Sequence, residues 1–132
     1  MSDFMSIPYE KPPDNCVAFM RIRVSDMDRA EKFYSTVFGW VFQTERHKPT
    51  ITVFMTGGQV IGSLHKHDDA GTKDPSVLSY IKVANVEETL KKVVEAGGKV
   101  VEEKWTEGDH TDMGTFEDTE GNLMGVLYWF VG

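Results

Sequence analysis

The sequence predicts an α+β protein built from two related βαβββ modules, whose strands form a cupped mixed sheet. Three observations support this class: a length of 132 residues, an ungapped internal repeat, and the same order of periodic segments in both copies. The composition, 40% hydrophobic and 27% charged, is typical of one ordinary domain. We therefore expect a single domain over residues 17–132, with modules at about 17–66 and 77–130.

The repeat aligns residues 19–42 with residues 78–101 at an offset of 59. Five identical pairs support this alignment: Ile22 with Ile81, Val24 with Val83, Lys32 with Lys91, Gly39 with Gly98, and Val41 with Val100. Further along, a second set of matches has an offset of 63: Gly58, Gly62 and Leu64 with Gly121, Gly125 and Leu127. The change of offset predicts a loop four residues longer in the second module.

The first module opens with the period-two alternation of a strand, at residues 17–24. A helix is expected next, because Ser25 or Asp26 can cap it and apolar residues recur at three- and four-residue steps. Gly39 suits the left-handed position that ends it. Short strands are predicted near Val41–Thr44, Ile51–Met55 and Val60–Leu64, with a turn at Gly57-Gly58.

The second module repeats this plan. Asn85 with Glu88 resembles a capping pair, and Gly97 and Gly98 end the helix. Strands are predicted near Lys99–Lys104, Gly114–Glu117 and Leu123–Trp129, with a turn at Glu120-Gly121-Asn122. Residues 1–16 contain Pro8, Pro12 and Pro13 and are expected to form a flexible arm.

The alternation also predicts which side chains point away from the helices. Phe19 and Arg21 in the first module, and Leu78, Tyr80 and Lys82 in the second, are expected on the inner side of the cup. The glycines Gly62 and Gly125 are expected on the same side, where a missing side chain leaves volume for a ligand. An equally supported alternative is that both glycines relieve crowding in a closed core.

Two segments, VSDMDRAEKFYSTVFGW and EDTEGNLMGVLYWF, resemble the vicinal oxygen chelate superfamily. This superfamily includes glyoxalase I, extradiol dioxygenases, and fosfomycin- and bleomycin-resistance proteins. The resemblance covers residues 17–130 and implies the glyoxalase/bleomycin-resistance fold. Members share one scaffold but differ in reaction, and some only sequester a ligand, so the resemblance identifies the fold better than the chemistry.

The resemblance also implies a metal site whose ligands this sequence lacks. Metal-dependent members bind a divalent ion with a His or Gln in the first strand of each module and a Glu in the last strand of each. Carried over by position, these places are Phe19, Gly62, Leu78 and Gly125. None of these side chains offers a lone pair to a metal. We therefore expect no metal and no cofactor.

The predicted ligand-binding residues are Phe19, Arg21, Gly62, Leu78, Tyr80, Trp105 and Gly125. Arg21 needs an anionic partner, which could be Glu103 or an acidic group of a ligand. Glu103, Tyr80 and His110 are weaker catalytic candidates. His110 lies in the longer loop predicted from Thr106 to Met113, where a plain surface position is the alternative.

The other polar clusters are interpreted more simply as exposed surface than as functional sites. His65 and His67 could bind a cation with Asp68 or Asp69, but a third fixed ligand is lacking, and an exposed strand end is favoured. His47 is expected at the surface. Eight acidic residues lie between Glu102 and Glu120, against the single Lys104. This tract either attracts a cationic ligand or is simply solvated.

The charge and composition exclude several classes of function. A net charge of −7 disfavours nucleic-acid binding, and no apolar stretch is long enough for a membrane helix. The lone Cys16 cannot form an intrachain disulfide, and we expect a cytoplasmic protein. A homodimer is expected because small members resembling this chain commonly pair modules between chains.

The favoured hypothesis is a metal-independent protein of the glyoxalase/bleomycin-resistance type that binds a small organic molecule in the cup or a dimer groove. The first alternative is a metal-free lyase, isomerase or hydrolase that acts on a small carbonyl compound. A second is a metal-dependent glyoxalase-like lyase or dioxygenase, which the missing ligands count against. A third is an interaction module with no small ligand.

Overall fold

The structure is a computed structural model that describes residues 4–43, 49–71 and 77–130. The chain divides into two compact units, Met1–Ala70 and Gly71–Gly132. Within the described residues, each unit contains one four-stranded mixed sheet and one α-helix. The predicted α+β class with two βαβββ modules is therefore confirmed.

The first unit begins with an arm whose described part contains a 3-10 turn at Phe4–Ser6. Its regular elements are β1 (Phe19–Val24), α1 (Met27–Phe38), β2 (Val41–Phe42), β3 (Ile51–Met55) and β4 (Ile61–Lys66). The strand order is β1-β4-β3-β2. β1 and β4 are parallel, and the other two pairs are antiparallel. The predicted end of the second strand, Thr44, lies outside the described residues.

Both predicted ends of helix α1 are confirmed. The Asp26 carboxylate accepts a hydrogen bond from the backbone N–H of Arg29 at 3.0 Å, which satisfies one of the free N–H groups of the first turn. Gly39 ends the helix in the left-handed region, with φ of 72°. Because glycine has no Cβ, it adopts this conformation at little cost in free energy. The chain can therefore turn directly into β2.

An aromatic stack attaches α1 to its sheet. The Tyr34 ring of α1 stacks on Trp40 at 4.8 Å between centroids, and Trp40 stacks on Phe54 of β3 at 4.6 Å. All three side chains are buried. Each large apolar side chain contributes roughly 1.5–3 kcal/mol on burial, so this stack holds one face of the sheet against the helix.

The second unit has the same plan. Its elements are β5 (Tyr80–Lys82), α2 (Val86–Glu95), β6 (Lys99–Glu107), β7 (Thr111–Glu117) and β8 (Leu123–Trp129), in the sheet order β5-β8-β7-β6. Asn85 caps α2 by accepting from the backbone N–H of Glu88 at 2.9 Å, as predicted. β5 and β8 are parallel, as β1 and β4 are in the first unit.

The predicted loop from Thr106 to Met113 is wrong. β6 continues to Glu107 and β7 begins at Thr111, so only residues 108–110 form the turn of a hairpin. Gly108, with φ of 55°, makes this tight turn possible. The polar composition of the segment resembled a loop because both strands of the hairpin carry many charged side chains.

Gly62 lies on the opposite face of its sheet from the one predicted. It pairs with Phe54 of β3, and a Cβ at this position would overlap the Phe54 ring and the backbone oxygen of Met20. Gly62 therefore belongs to the helix-covered core, where it makes room for the aromatic stack. The alternative interpretation, relief of crowding in a closed core, is the correct one for this glycine.

Replacing Gly62 with Ala is expected to lower the free energy of unfolding by about 1–3 kcal/mol, because the new methyl group displaces backbone or a packed ring. Gly58→Ala is the matched control, since its nearest neighbour is the Thr56 hydroxyl at 3.9 Å. Urea denaturation of both variants measures the difference. Equal stability of the two variants would show that Gly62 does not lie under the Phe54 ring.

Candidate functional site

Each sheet has one face covered by its helix and one face turned away from it, here called its open face. In the first unit the open face carries the odd residues of β1 and β4: Phe19, Arg21, Arg23, Ile61, Ser63 and His65. In the second unit it carries Tyr80, Gly125, Thr115 and Glu102, among others. Polar side chains that could meet a ligand lie on these two faces.

Four residues form a straight row across the second open face. Tyr80 of β5 lies opposite Gly125 of β8, Gly125 lies opposite Thr115 of β7, and Thr115 lies opposite Glu102 of β6. A Cβ on Gly125 would be 2.5 Å from two carbons of the Tyr80 ring. The ring therefore lies directly over the glycine, and the Thr115 hydroxyl donates to Glu102 Oε1 at 3.1 Å.

The surroundings of Tyr80 keep its hydroxyl protonated. Burial raises the pKa of the Tyr80 phenol, and the negative charge of Glu102 raises it further. At neutral pH the phenol is therefore a hydrogen-bond donor. The protonated phenol can donate to a carbonyl or ether oxygen of a ligand.

Glu102 is the site residue that the sequence analysis missed. Strict alternation places Glu102 and Trp105 on opposite faces, but two irregularities in the β6–β7 register bring both to the open face. Trp105 lies opposite Met113 and is 38% exposed. Between them, Lys104 turns to the helix side and pairs with Glu87 of α2 at 3.0 Å. No motif in the sequence marks a bulge of this kind.

The other predicted site residues of the second unit have separate positions. Leu78 is partly buried just before β5, and Glu103 is exposed within the irregular part of β6. His110 lies in the hairpin turn, where its Nδ1 is 2.7 Å from the Thr111 hydroxyl and its carbonyl accepts from Phe130 N–H. The suggested contact between Arg21 and Glu103 would join the two units and stays a prediction.

The first open face carries basic side chains. Arg21 lies opposite Ser63, and Arg23 lies opposite His65. The Ser63 hydroxyl is 2.8 Å from His65 Nε2. Arg23 contacts His67 Nδ1 at 3.2 Å and Asp69 at 3.5 Å. His65 and His67 thus contact different partners, which agrees with the favoured interpretation of an exposed strand end rather than a cation site.

His65 is held in its neutral form. Burial lowers the pKa of the imidazole, and the positive charges of Arg21 and His67 lower it further. The Arg21 guanidinium that acts on it is cationic, so a bound cation would meet electrostatic repulsion here.

The strand registers change one of the four positions that correspond to the metal ligands of metal-dependent members. Because Arg21 pairs with Ser63 as Tyr80 pairs with Gly125, the counterpart of Gly125 is Ser63 and not Gly62. The correct offset between the last strands is therefore one residue shorter than the glycines suggested.

The residues present do not fit the metal of the metal-dependent members. The four places now read Phe19, Ser63, Leu78 and Gly125, and the only lone-pair donor among them, the Ser63 hydroxyl, is bonded to His65. In residues 4–43, 49–71 and 77–130, no group of three His, Cys, Asp or Glu side chains is arranged to hold an ion.

Residues 16–126 match the model of the Glyoxalase/Bleomycin resistance protein/Dioxygenase superfamily. The chain belongs to this superfamily. A glyoxylase-like domain-containing protein from Didymella fabae is 29% identical to it over 116 residues, which are 83% of this chain and 91% of that protein. The resemblance inferred from the two sequence motifs is therefore confirmed.

Two crystal structures show the same fold as this superfamily member. A glyoxalase/bleomycin resistance protein/dioxygenase family enzyme from Burkholderia phytofirmans PsJN has a TM-score of 0.72 and 17% identity, covering 84% of this chain and 96% of that one. A glyoxalase-related enzyme from Fulvimarina pelagi has a TM-score of 0.70 and 16% identity, covering 86% and 88%. Neither α1 nor α2 is long and apolar enough to cross a bilayer.

The pKa of His65 predicts a specific pH dependence of stability. Its pKa lies lower in the folded protein than the ordinary value of about 6.5 expected in the unfolded chain. Between the two values the unfolded state binds more protons, so stability rises with pH in this window and is lost as pH falls below about 6.5.

Replacing His65 with Gln is expected to reduce this acid-side loss of stability. Urea denaturation between pH 7.5 and roughly pH 5 measures it, and His110→Gln controls for the loss of a histidine elsewhere. An unchanged pH profile in His65→Gln would contradict the assignment.

Proposed function

We propose that this chain is a metal-independent protein that binds a small organic molecule on its second open face. The observation that carries the proposal is the Tyr80 ring lying over Gly125. Gly125 is the position at which metal-dependent members carry a glutamate ligand. An aromatic hydrogen-bond donor covers the place where a metal-binding side chain would begin, so ligand recognition replaces metal coordination.

The row and Trp105, which lies on the same open face, indicate the kind of ligand. The Tyr80 phenol donates a hydrogen bond, while the Glu102 carboxylate accepts one, and Trp105 offers an aromatic surface. A planar or aromatic molecule with a carbonyl oxygen and a nearby N–H or cationic group satisfies all three. The aromatic surface and the carboxylate together also favour a cation through cation–π and ionic attraction.

A metal-free enzyme is the alternative that one observation favours. Glu102 is close enough to Tyr80 to raise its pKa, so a carboxylate and a protonated phenol share one face. Such a pair can accept a proton at one ligand atom and donate one at another, as isomerases and lyases of carbonyl compounds require. Turnover that survives chelation and is lost in both Glu102→Gln and Tyr80→Phe would favour this alternative.

The metal independence is tested by elemental mass spectrometry of the untagged protein. The protein is incubated with Zn, Ni, Mn and Fe salts and then dialysed. We expect no ion to remain at a near-stoichiometric level, because the four positions lack a ligand set. Retention of about one ion per chain would contradict the proposal and favour a metal-dependent lyase or dioxygenase.

Ligand binding is tested by a thermal-shift screen of small carbonyl compounds and cationic aromatic natural products, followed by calorimetry of the hits. Tyr80→Phe is expected to weaken binding roughly fivefold, because one hydrogen bond of about 1 kcal/mol is lost. Trp105→Ala removes the aromatic surface and is expected to weaken ligand binding more than Tyr80→Phe does.

The exposed Tyr9 of the arm gives the matched control. Tyr9→Phe is expected to bind like the unmodified protein. A hit whose affinity is equal in Tyr80→Phe, Trp105→Ala and Tyr9→Phe would place the ligand elsewhere and overturn the proposal. Light scattering of the same samples tests the expected homodimer.

A further inference from the structure

We propose that the first open face contains an oxyanion site, formed by Arg21 and His65 and positioned by Ser63, for the carboxylate or phosphonate group of a small organic acid. This inference goes beyond the proposed function, which depends on Tyr80 and Glu102 in the other unit. It assigns a role to Arg21 that the first unit alone supports.

The first support is an unpaired charge. Within the described residues of the first unit, the Arg21 guanidinium forms no ion pair and no hydrogen bond, although Arg23 two residues later pairs with Asp69. Arg21 is exposed, and the neighbouring residues on β3, opposite Ser63 and His65, are the apolar Val53 and Ile51. No carboxylate from β3 or β4 therefore neutralises this guanidinium.

The second support is the hydrogen bond between Ser63 and His65. Ser63 is only 3% exposed, and its hydroxyl is 2.8 Å from His65 Nε2. When the hydroxyl donates to Nε2 of the neutral imidazole, the ring proton must reside on Nδ1. Nδ1–H is then a donor available to a ligand. In this arrangement Ser63 is a positioning residue, because its contact orients the ring and its donated proton keeps the ring proton on Nδ1.

The two donors suit an oxyanion and not a cation. A guanidinium binds a carboxylate or phosphonate through two parallel hydrogen bonds, and the imidazole N–H adds a third. The cationic neighbours of His65 in this unit are Arg21 and Arg23, and the carboxylate of Asp69 is engaged by Arg23. In a chain with a net charge of −7, this face is locally positive.

Calorimetry at constant ionic strength tests the site with three probes that share one ring: benzoate, phenylphosphonate and the neutral benzamide. We expect the two anions to bind through Arg21. Benzamide, whose carbonyl and N–H groups suit Tyr80 and Glu102, is expected to bind with equal affinity in the unmodified protein and in Arg21→Gln. Arg21→Gln is expected to weaken anion binding about tenfold or more, because a charge-assisted bidentate contact is lost. The stronger of the two anions identifies the acid group that the site prefers.

Arg29→Gln on helix α1 is the matched control, since it removes the same charge from the same unit on the other side of the sheet. It is expected to change the affinity less than twofold. Equal losses of anion affinity in Arg21→Gln and Arg29→Gln would show that only the net charge matters, and would overturn the proposed site. Failure of both anions to bind the unmodified protein would also overturn it.

Nitrogen NMR of the imidazole rings tests whether His65 itself contacts the bound anion. Benzoate or phenylphosphonate is expected to shift the Nδ1 signal of His65, and Ser63→Ala is expected to mix the two tautomers and weaken binding severalfold. An unchanged Nδ1 signal at saturating anion would exclude His65 from the site. If a ligand whose binding depends on Tyr80 still binds Arg21→Gln with unaltered affinity, the oxyanion site and the site of the proposed function can be tested independently.

Discussion

Parallel pairing of the first and last strands fixes the character of each unit. In β1 and β4 it sets Arg21 opposite Ser63, and in β5 and β8 it sets Tyr80 opposite Gly125. Because side chains alternate between faces, a slip of one residue in either pair would exchange the core side chains with the open-face side chains. The burial of the aromatic stack under α1 makes such a slip costly, so packing on one face determines the chemistry of the other.

Gly62 and Gly125 show how the face decides the role of a residue. Both are glycines in the last strand of a unit, and both make room for an aromatic ring. The ring over Gly62 is Phe54, which is completely buried in the helix-covered core. The ring over Gly125 is Tyr80, which is partly exposed on the open face and keeps a polar atom. The same missing side chain therefore makes room for a core ring in one unit and for a ring on the open face in the other.

Local chemistry predicted most of the fold. The caps at Asp26 and Asn85 and the left-handed Gly39 depend on residues close in sequence, so composition and spacing suffice to find them. The register between distant strands does not follow from such signals. Matching Gly62 with Gly125 gave an offset one residue too long, because two glycines with different roles were treated as equivalents. The bulged β6 is a similar case, since no residue type marks the position that brings Glu102 to the open face.

Burial shifts the pKa values of one side chain on each open face, in opposite directions. Burial disfavours whichever form of a group is charged, so it raises the pKa of the Tyr80 phenol and lowers the pKa of the His65 imidazole. Both groups are thereby neutral near pH 7, and a neutral phenol and a neutral imidazole each present a hydrogen-bond donor. A metal site needs several free lone pairs held together. The neutral His65 ring keeps one lone pair, and when the Ser63 hydroxyl donates to Nε2 this lone pair is already engaged, which leaves the ring N–H for a ligand oxygen.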